Sequence, residues 1–142
     1  MKTKLKKNVL IDMTASIIHN GHVRLINKAS KFGSVIIALT TDSEVKKHKN
    51  FIPEIKYKLR KEILLAFKNV SKVIPCKYEI TQNFVDRHKI DIVVQGSDYA
   101  NRKFRNKTIT FNRTKNISSN IIRQLAAKNI KHTGKKLKRL NK

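Results

Sequence analysis

The chain has 142 residues, 39% of them hydrophobic, which is enough for one domain with a core and too apolar for a disordered chain. Its single cysteine, Cys76, excludes an internal disulfide, and no apolar run approaches the ~20 residues of a membrane span. The 33 Lys and Arg outnumber 9 Asp and Glu to give +24; with the ten basic groups of residues 1–7 and 131–142 set aside, the span 8–130 still carries +14.

Residues 1–7 read as a basic extension. They could open a signal peptide, but the following apolar stretch is broken by Asp12 and runs into His19 with no small-x-small cleavage pattern. Residues 8–13 then read as a buried strand around Val9, Leu10 and Ile11. Residues 21–32 place Val23, Ile26, Ala29 and Phe32 at helical spacing, with Gly33 as the stop. Residues 35–41 are apolar enough for a strand covered on both faces. Residues 46–53 read as a basic loop, and 57–68 as a helix with Leu59, Ile63, Ala66 and Phe67 on one face. A short strand at 70–74 ends at Pro75, with Cys76 a small buried residue beside it. A short helix at 83–88, a strand at 92–95, the turn Gly96-Ser97-Asp98-Tyr99, a strand at 108–112 and a helix at 118–127 complete the order. Residues 131–142 form a basic tail expected to be mobile.

This alternation predicts a Rossmann-like three-layer α/β sandwich with a five-stranded, mostly parallel sheet in one domain, 8–130. Ligands in such sheets sit at the carboxyl ends of the strands, near the point where strand order reverses. Three segments fall at such ends: His19-Asn20-Gly21-His22, Gly96-Ser97-Asp98, and the run from Arg113 to Asn120. His19 and His22 are three residues apart and share one helical turn. Two imidazoles at a helix start can donate hydrogen bonds to a phosphate that gains charge. Gly21 lets the backbone come close to a ligand. Ser118 reads as a helix N-cap. No Ser/His/Asp or Cys/His set is visible. Nor do Cys76, His48, His88 and His132 make a zinc spacing with the pair.

In these motifs the chain resembles the cytidylyltransferases of the HxGH nucleotidyltransferase superfamily, glycerol-3-phosphate cytidylyltransferases among its small members. The resemblance covers roughly residues 8–126. It rests on Thr14, His19–His22, Thr41-Asp42, Lys46-Lys47-His48-Lys49, Arg60–Leu64, Val73-Ile74-Pro75, Gly96–Tyr99 and Arg113–Asn120. It implies transfer of a nucleoside monophosphate from CTP to a phosphorylated alcohol or phosphonate, with Mg²⁺ accompanying the triphosphate and pyrophosphate released. His19, His22, Lys49 and Arg113 would be catalytic. Thr14, Ala15, Gly21, Lys46, Arg60, Gly96, Asp98, Thr114, Ile117, Ser118, Ser119 and Asn120 would bind the nucleotide with Arg113. A cytoplasmic homodimer is implied as well, and no metal ligand is assigned.

Three departures stand out. Relatives carry Gly-Thr-Phe-Asp where this chain has Met13-Thr14-Ala15-Ser16, so an acidic residue is replaced by Ser16. Asn116 replaces a glycine, and asparagine is the residue that best tolerates the left-handed conformation after glycine. Asn120 replaces a threonine. Three alternatives remain: an adenylyltransferase using ATP, a nucleic-acid-binding module on the same scaffold, and weak electrostatic contact of the basic tails with nucleic acid or an anionic membrane. Against the nucleic-acid module stand the 6% aromatic content and the lack of any recognition motif.

Overall fold

The computed structural model describes residues 5–133. In chain order the elements are β1 (Asn8–Met13), α1 (Asn20–Ser30), β2 (Ser34–Thr40), α2 (Asp42–Lys49), α3 (Tyr57–Leu65), β3 (Val70–Cys76), α4 (Gln82–Arg87), β4 (Ile92–Gly96), a 3₁₀ turn at Ser97–Tyr99, β5 (Lys107–Phe111) and α5 (Ser119–Thr133). The five strands form one sheet in the order β3-β2-β1-β4-β5. All four pairings are parallel, so the expected "mostly parallel" sharpens to wholly parallel.

The continuous apolar runs explain why these segments are central strands. Along β1, Val9 and Ile11 face one way and Leu10 the other, and each is fully buried. The first face packs on Ile26 and Ala29 of α1 and Leu64 of α3; the second packs on Val85 of α4 with Ile80 and Ile90. Helices on both faces leave the central strands β1, β2 and β4 almost no face for water, which is why alternation is missing from their sequence. Strand order reverses between β1 and β4, and the chain leaves both at the same edge of the sheet.

Several local expectations are corrected. Residues 46–49, expected in a loop, belong to α2. Thr41 caps that helix by accepting the Glu44 amide, Asp42 and Glu44 occupy its first turn, and Lys46, Lys47, His48 and Lys49 its last, matching the helix dipole at both ends. Asn50 closes it in the left-handed conformation at φ 59°. Gly33 is not a left-handed stop, because no glycine among the described residues has positive φ. It is needed because a Cβ there would lie 2.2 Å from the Lys7 carbonyl oxygen. Pro75 does not end β3; it lies within it, opposite Leu39, and β3 is an edge strand, where a missing ladder donor is tolerated. The helix from 57 stops at Leu65 rather than 68, and α5 continues through Thr133, past the expected start of the tail. The rest of that tail and residues 1–4 lie outside the described residues.

Candidate active site

A cleft of about 220 Å³ opens at the carboxyl edge of the sheet over the β1/β4 switch point. Its walls are the β1–α1 loop, the first turns of α1, the Gly96–Tyr99 turn, the segment after β5, and the start of α5. Thr14, Ala15, His19, Gly21, His22, Lys49, Gly96, Asp98, Arg113, Thr114, Ile117, Ser118, Ser119 and Asn120 all line it. The three segments separated in sequence therefore converge on one cavity.

His19 is the N-cap of α1, and its Nδ1 accepts the Gly21 amide at 3.0 Å. The Nδ1 of His22 accepts the His19 amide at 3.1 Å, closing a capping box built from two imidazoles. Both Nδ1 atoms are acceptors, so in each neutral ring the proton resides on Nε2. The rings lie 4.0 Å apart. Burial pushes the His22 pKa down to about 3, helped by His19 and Arg113; burial and then Arg113 lower that of His19. Each ring is thus a fixed, uncharged N–H donor at neutral pH. Gly21 lines the cleft and has a second role. A Cβ there would sit 2.8 Å from His19 Cε1, so the glycine also makes room for the capping ring.

At the other wall, Ser118 caps α5, its hydroxyl accepting the Ile121 amide at 3.1 Å, and keeps its own proton to donate. The Ser119 hydroxyl is committed to the chain: it donates to the Ile17 carbonyl at 3.0 Å and ties the start of α5 to the β1–α1 loop. What Ser119 retains for an anion is its backbone N–H, in the first turn where such groups lack helical partners. Asn116 has φ 62°, as the glycine substitution requires. Ala15 is also in the left-handed region, at φ 45°, within the cleft lining.

The cations divide into two kinds. Arg113 is half-exposed and pairs with Asp98 at 2.7 Å, a contact that exchanges easily in solvent. Lys49 reaches the cleft, and burial, then Arg123 and Arg113, lower its pKa. Arg60, expected to bind nucleotide, does not line the cleft and is fully buried. It donates to the carbonyls of Ile55, Thr14 and Thr40 and to the Asp42 carboxylate, which fixes the ends of β1 and β2 from behind. Lys46 is exposed on α2 and does not line the cleft either.

Sequence reasoning missed Arg24, Leu25 and Lys28, which line the cleft together with Gly21. Their spacing from Gly21, three, four and seven residues, is one helical face and was available as a signal. Arg123 was missed too. It lies one helical turn beyond Ser119, lines the cleft, pairs with Glu54, donates to Ser16 at 2.7 Å and stacks on Phe51. Ser16, standing in the acidic position, thus accepts a hydrogen bond from Arg123, whose ionic partner is Glu54. Asp12, Met13, Ser16, Tyr99, Phe111 and Asn112 complete the lining. Cys76 is buried with its thiol pushed up to about 12, so it offers no nucleophile.

The arrangement suits a polyanion. Two uncharged N–H donors and the starts of α1 and α5 face it, with cations around the rim. Residues 11–125 match the cytidylyltransferase-like family, and the chain belongs to that family. It is 30% identical to the glycerol-3-phosphate cytidylyltransferase of Staphylococcus aureus, over 83% of this chain and 93% of that one. It is 28% identical to the enzyme of that name from Bacillus subtilis, over 83% and 95%. The bifunctional protein HldE of Hydrogenovibrio crunogenus is 30% identical over 69% of this chain, which spans only 21% of that longer protein. Among solved structures, the lipopolysaccharide core biosynthesis protein of Thermoplasma volcanium shares the fold, with a TM-score of 0.64 and 18% identity over 78% of this chain and 99% of its own.

Proposed function

We propose that the protein transfers CMP from CTP to a phosphorylated alcohol, with glycerol 3-phosphate and phosphoethanolamine the first candidates. The observation that carries this reading is the convergence of the Nε2–H donors of His19 and His22 with Lys49, Arg113 and Arg123 on one cleft. An oxygen of the acceptor phosphate attacks the α-phosphorus, the bond from that phosphorus to the bridging oxygen breaks, and pyrophosphate leaves. Such a step needs positioning and charge neutralisation rather than a protein nucleophile. The two histidines would donate to the α-phosphate as charge builds there. Arg113 would exchange Asp98 for the outer phosphates, and the first amides of α5 would join it. Relatives named as glycerol-3-phosphate and ethanolamine-phosphate cytidylyltransferases support a phosphorylated alcohol as acceptor.

Among the described residues no group of three His, Cys, Asp or Glu side chains is placed to hold a metal. Mg²⁺ enters this reading with the triphosphate, carried on its oxygens and water. No helix among the described residues is long and apolar enough to cross a membrane; a cytoplasmic enzyme drawing on the nucleotide pool fits the reading. A homodimer goes with it, tested by sedimentation at micromolar concentration.

The deciding experiment measures pyrophosphate release from each of the four ribonucleoside triphosphates against glycerol 3-phosphate, phosphoethanolamine, phosphocholine, a phosphonate and a sugar phosphate. Release from CTP with a phosphorylated alcohol is expected. Release from ATP alone would convert the reading to an adenylyltransferase, and release from no pair would end it.

A further inference from the structure

Asp12 is the oddest residue of the cleft. It lies at the carboxyl end of β1, directly at the switch point, and is one of two acidic residues, with Asp98, in the lining of a cavity otherwise rich in cations and N–H donors. Its side chain is only 7% exposed. Both of its oxygens are taken by Arg102, Oδ2 from Nη1 at 2.7 Å and Oδ1 from Nη2 at 2.9 Å. This is the two-pronged geometry that guanidinium and carboxylate match best.

Arg102 is held as firmly as it holds. Its Nε donates to Oε1 of Gln95, a buried side chain on β4 whose Nε2 in turn reaches Thr110 of β5. The guanidinium lies over the Tyr99 ring, 4.4 Å from its centre, and near the ring of Phe104. Arg102 belongs to the link between β4 and β5, residues 97–106, which joins two parallel strands with nothing more regular than one 3₁₀ turn. The same turn carries Asp98, the partner of Arg113. One arginine thus fastens the ends of β1 and β4 to the turn that frames the cleft, and cancels the charge of the cleft's one largely enclosed carboxylate.

We propose that Arg102 is a positioning residue for anion binding, acting through Asp12: it neutralises a carboxylate that would otherwise repel a polyphosphate from the floor of the cleft. The proposal rests on the polyphosphate reading of the site but not on any particular nucleotide or acceptor. A merely structural arginine would hold the 97–106 link whatever Asp12 carried; a neutralising one matters only while Asp12 is charged.

Equilibrium binding of inorganic tripolyphosphate to the full chain separates the two. Arg102→Gln should weaken binding by about tenfold at low salt, the order of one uncompensated charge a few ångströms from the ligand, and the loss should shrink as salt rises. The double variant Asp12→Asn/Arg102→Gln should recover most of the loss. Asp12→Asn alone keeps Arg102 and should bind tripolyphosphate as tightly as wild type or a few fold more tightly; this arm stands even where Arg102→Gln folds poorly. Unchanged binding by Arg102→Gln, failure of the double variant to recover, or weaker binding by Asp12→Asn would each overturn the proposal, as would wild-type protein that does not bind tripolyphosphate. Wild-type protein that binds tripolyphosphate while releasing pyrophosphate from no nucleotide would remove the transferase reading and leave this one standing.

Discussion

The starts of α1 and α2 are capped alike and filled in opposite ways. Each is preceded by an extended residue whose side chain accepts a first-turn amide, His19 in one and Thr41 in the other. The first turn of α2 then carries Asp42 and Glu44, and both are spent inside the molecule. Asp42 accepts the Tyr57 amide and the Arg60 guanidinium; Glu44 accepts the Tyr78 amide and pairs with His48. The first turns of α1 and α5 carry no acid, in a fold where both open onto the cleft. One positive helix end has been used to fasten the chain to itself, and two have been left for something from outside. The contrast separates residues that make the cleft from residues that work in it.

The largest effect should come from the working side. His22→Ala removes one fixed donor and should lower turnover ~100- to 1000-fold, about 3–4 kcal/mol in the barrier. The fold should lose only about 1 kcal/mol, the value of a cap contact, as read by denaturant unfolding. Near-normal turnover in both His22→Ala and His19→Ala, on the substrates the release screen identifies, would make the paired rings purely a capping device.

Arg60→Met should do the reverse. It leaves the Asp42 carboxylate with only the Tyr57 amide and takes the guanidinium from three carbonyls, and the expected loss is about 3 kcal/mol of stability, since truncating one partner of a largely buried pair costs the other its ionic partner. Turnover per folded molecule should change far less than in His22→Ala. A variant of normal stability that fails to bind nucleotide would return Arg60 to the ligand site.

Acid tests the same division without a ligand. The pKa of His22 is pushed from 6.5 to about 3 in the folded protein, so between those values the unfolded chain binds a proton that the folded one does not. Its contribution to stability is complete above pH 6.5 and is lost as the pH falls toward 3, by up to about 1.4 kcal/mol per unit. Unfolding midpoints measured between pH 7 and 4 should fall, and His22→Gln should flatten the slope. An unaltered slope in that variant would place the acid sensitivity elsewhere.

The smallest effect is the most pointed. Asn20 is exposed at the first position of α1. Asn20→Asp gives that helix the acid α2 already has, which should stabilise the fold by about 0.5 kcal/mol while weakening triphosphate binding a few fold. A variant that gains stability and keeps its affinity would show that the open end of α1 has no part in binding.

Sequence periodicity carried the fold a long way because strands buried on both faces read as plain apolar runs, and residues 9–11, 35–39 and 92–94 are such runs. The histidine pair and the Arg113–Ser119 segment were legible for a related reason: their spacing and their place after strands are local facts. α2 was not read, although Thr41-x-x-Glu44 spells a capping box, because its basic last turn looks like a loop to any hydropathy rule. Arg60 could not be sorted by sequence. Nothing local distinguishes the fully buried arginine from the other Lys and Arg of the 33, since its four acceptors come from the loop after β1, the end of β2, the start of α2 and the link before α3. The pairing of Asp12 with Arg102 spans 90 positions and leaves no periodic trace.

Pro75 has a bearing on how copies of this protein meet. An edge strand is an open row of hydrogen-bonding groups and invites another strand to add to it. β3 shows solvent Ser71, Lys72 and Pro75, so its outer row carries a cation and a residue with no N–H to give. Both features blunt the edge against sheet-to-sheet growth, and the +24 of the chain adds repulsion at longer range. Strand-to-strand growth through the β3 side, the step that propagates a sheet into a fibre, is thereby disfavoured.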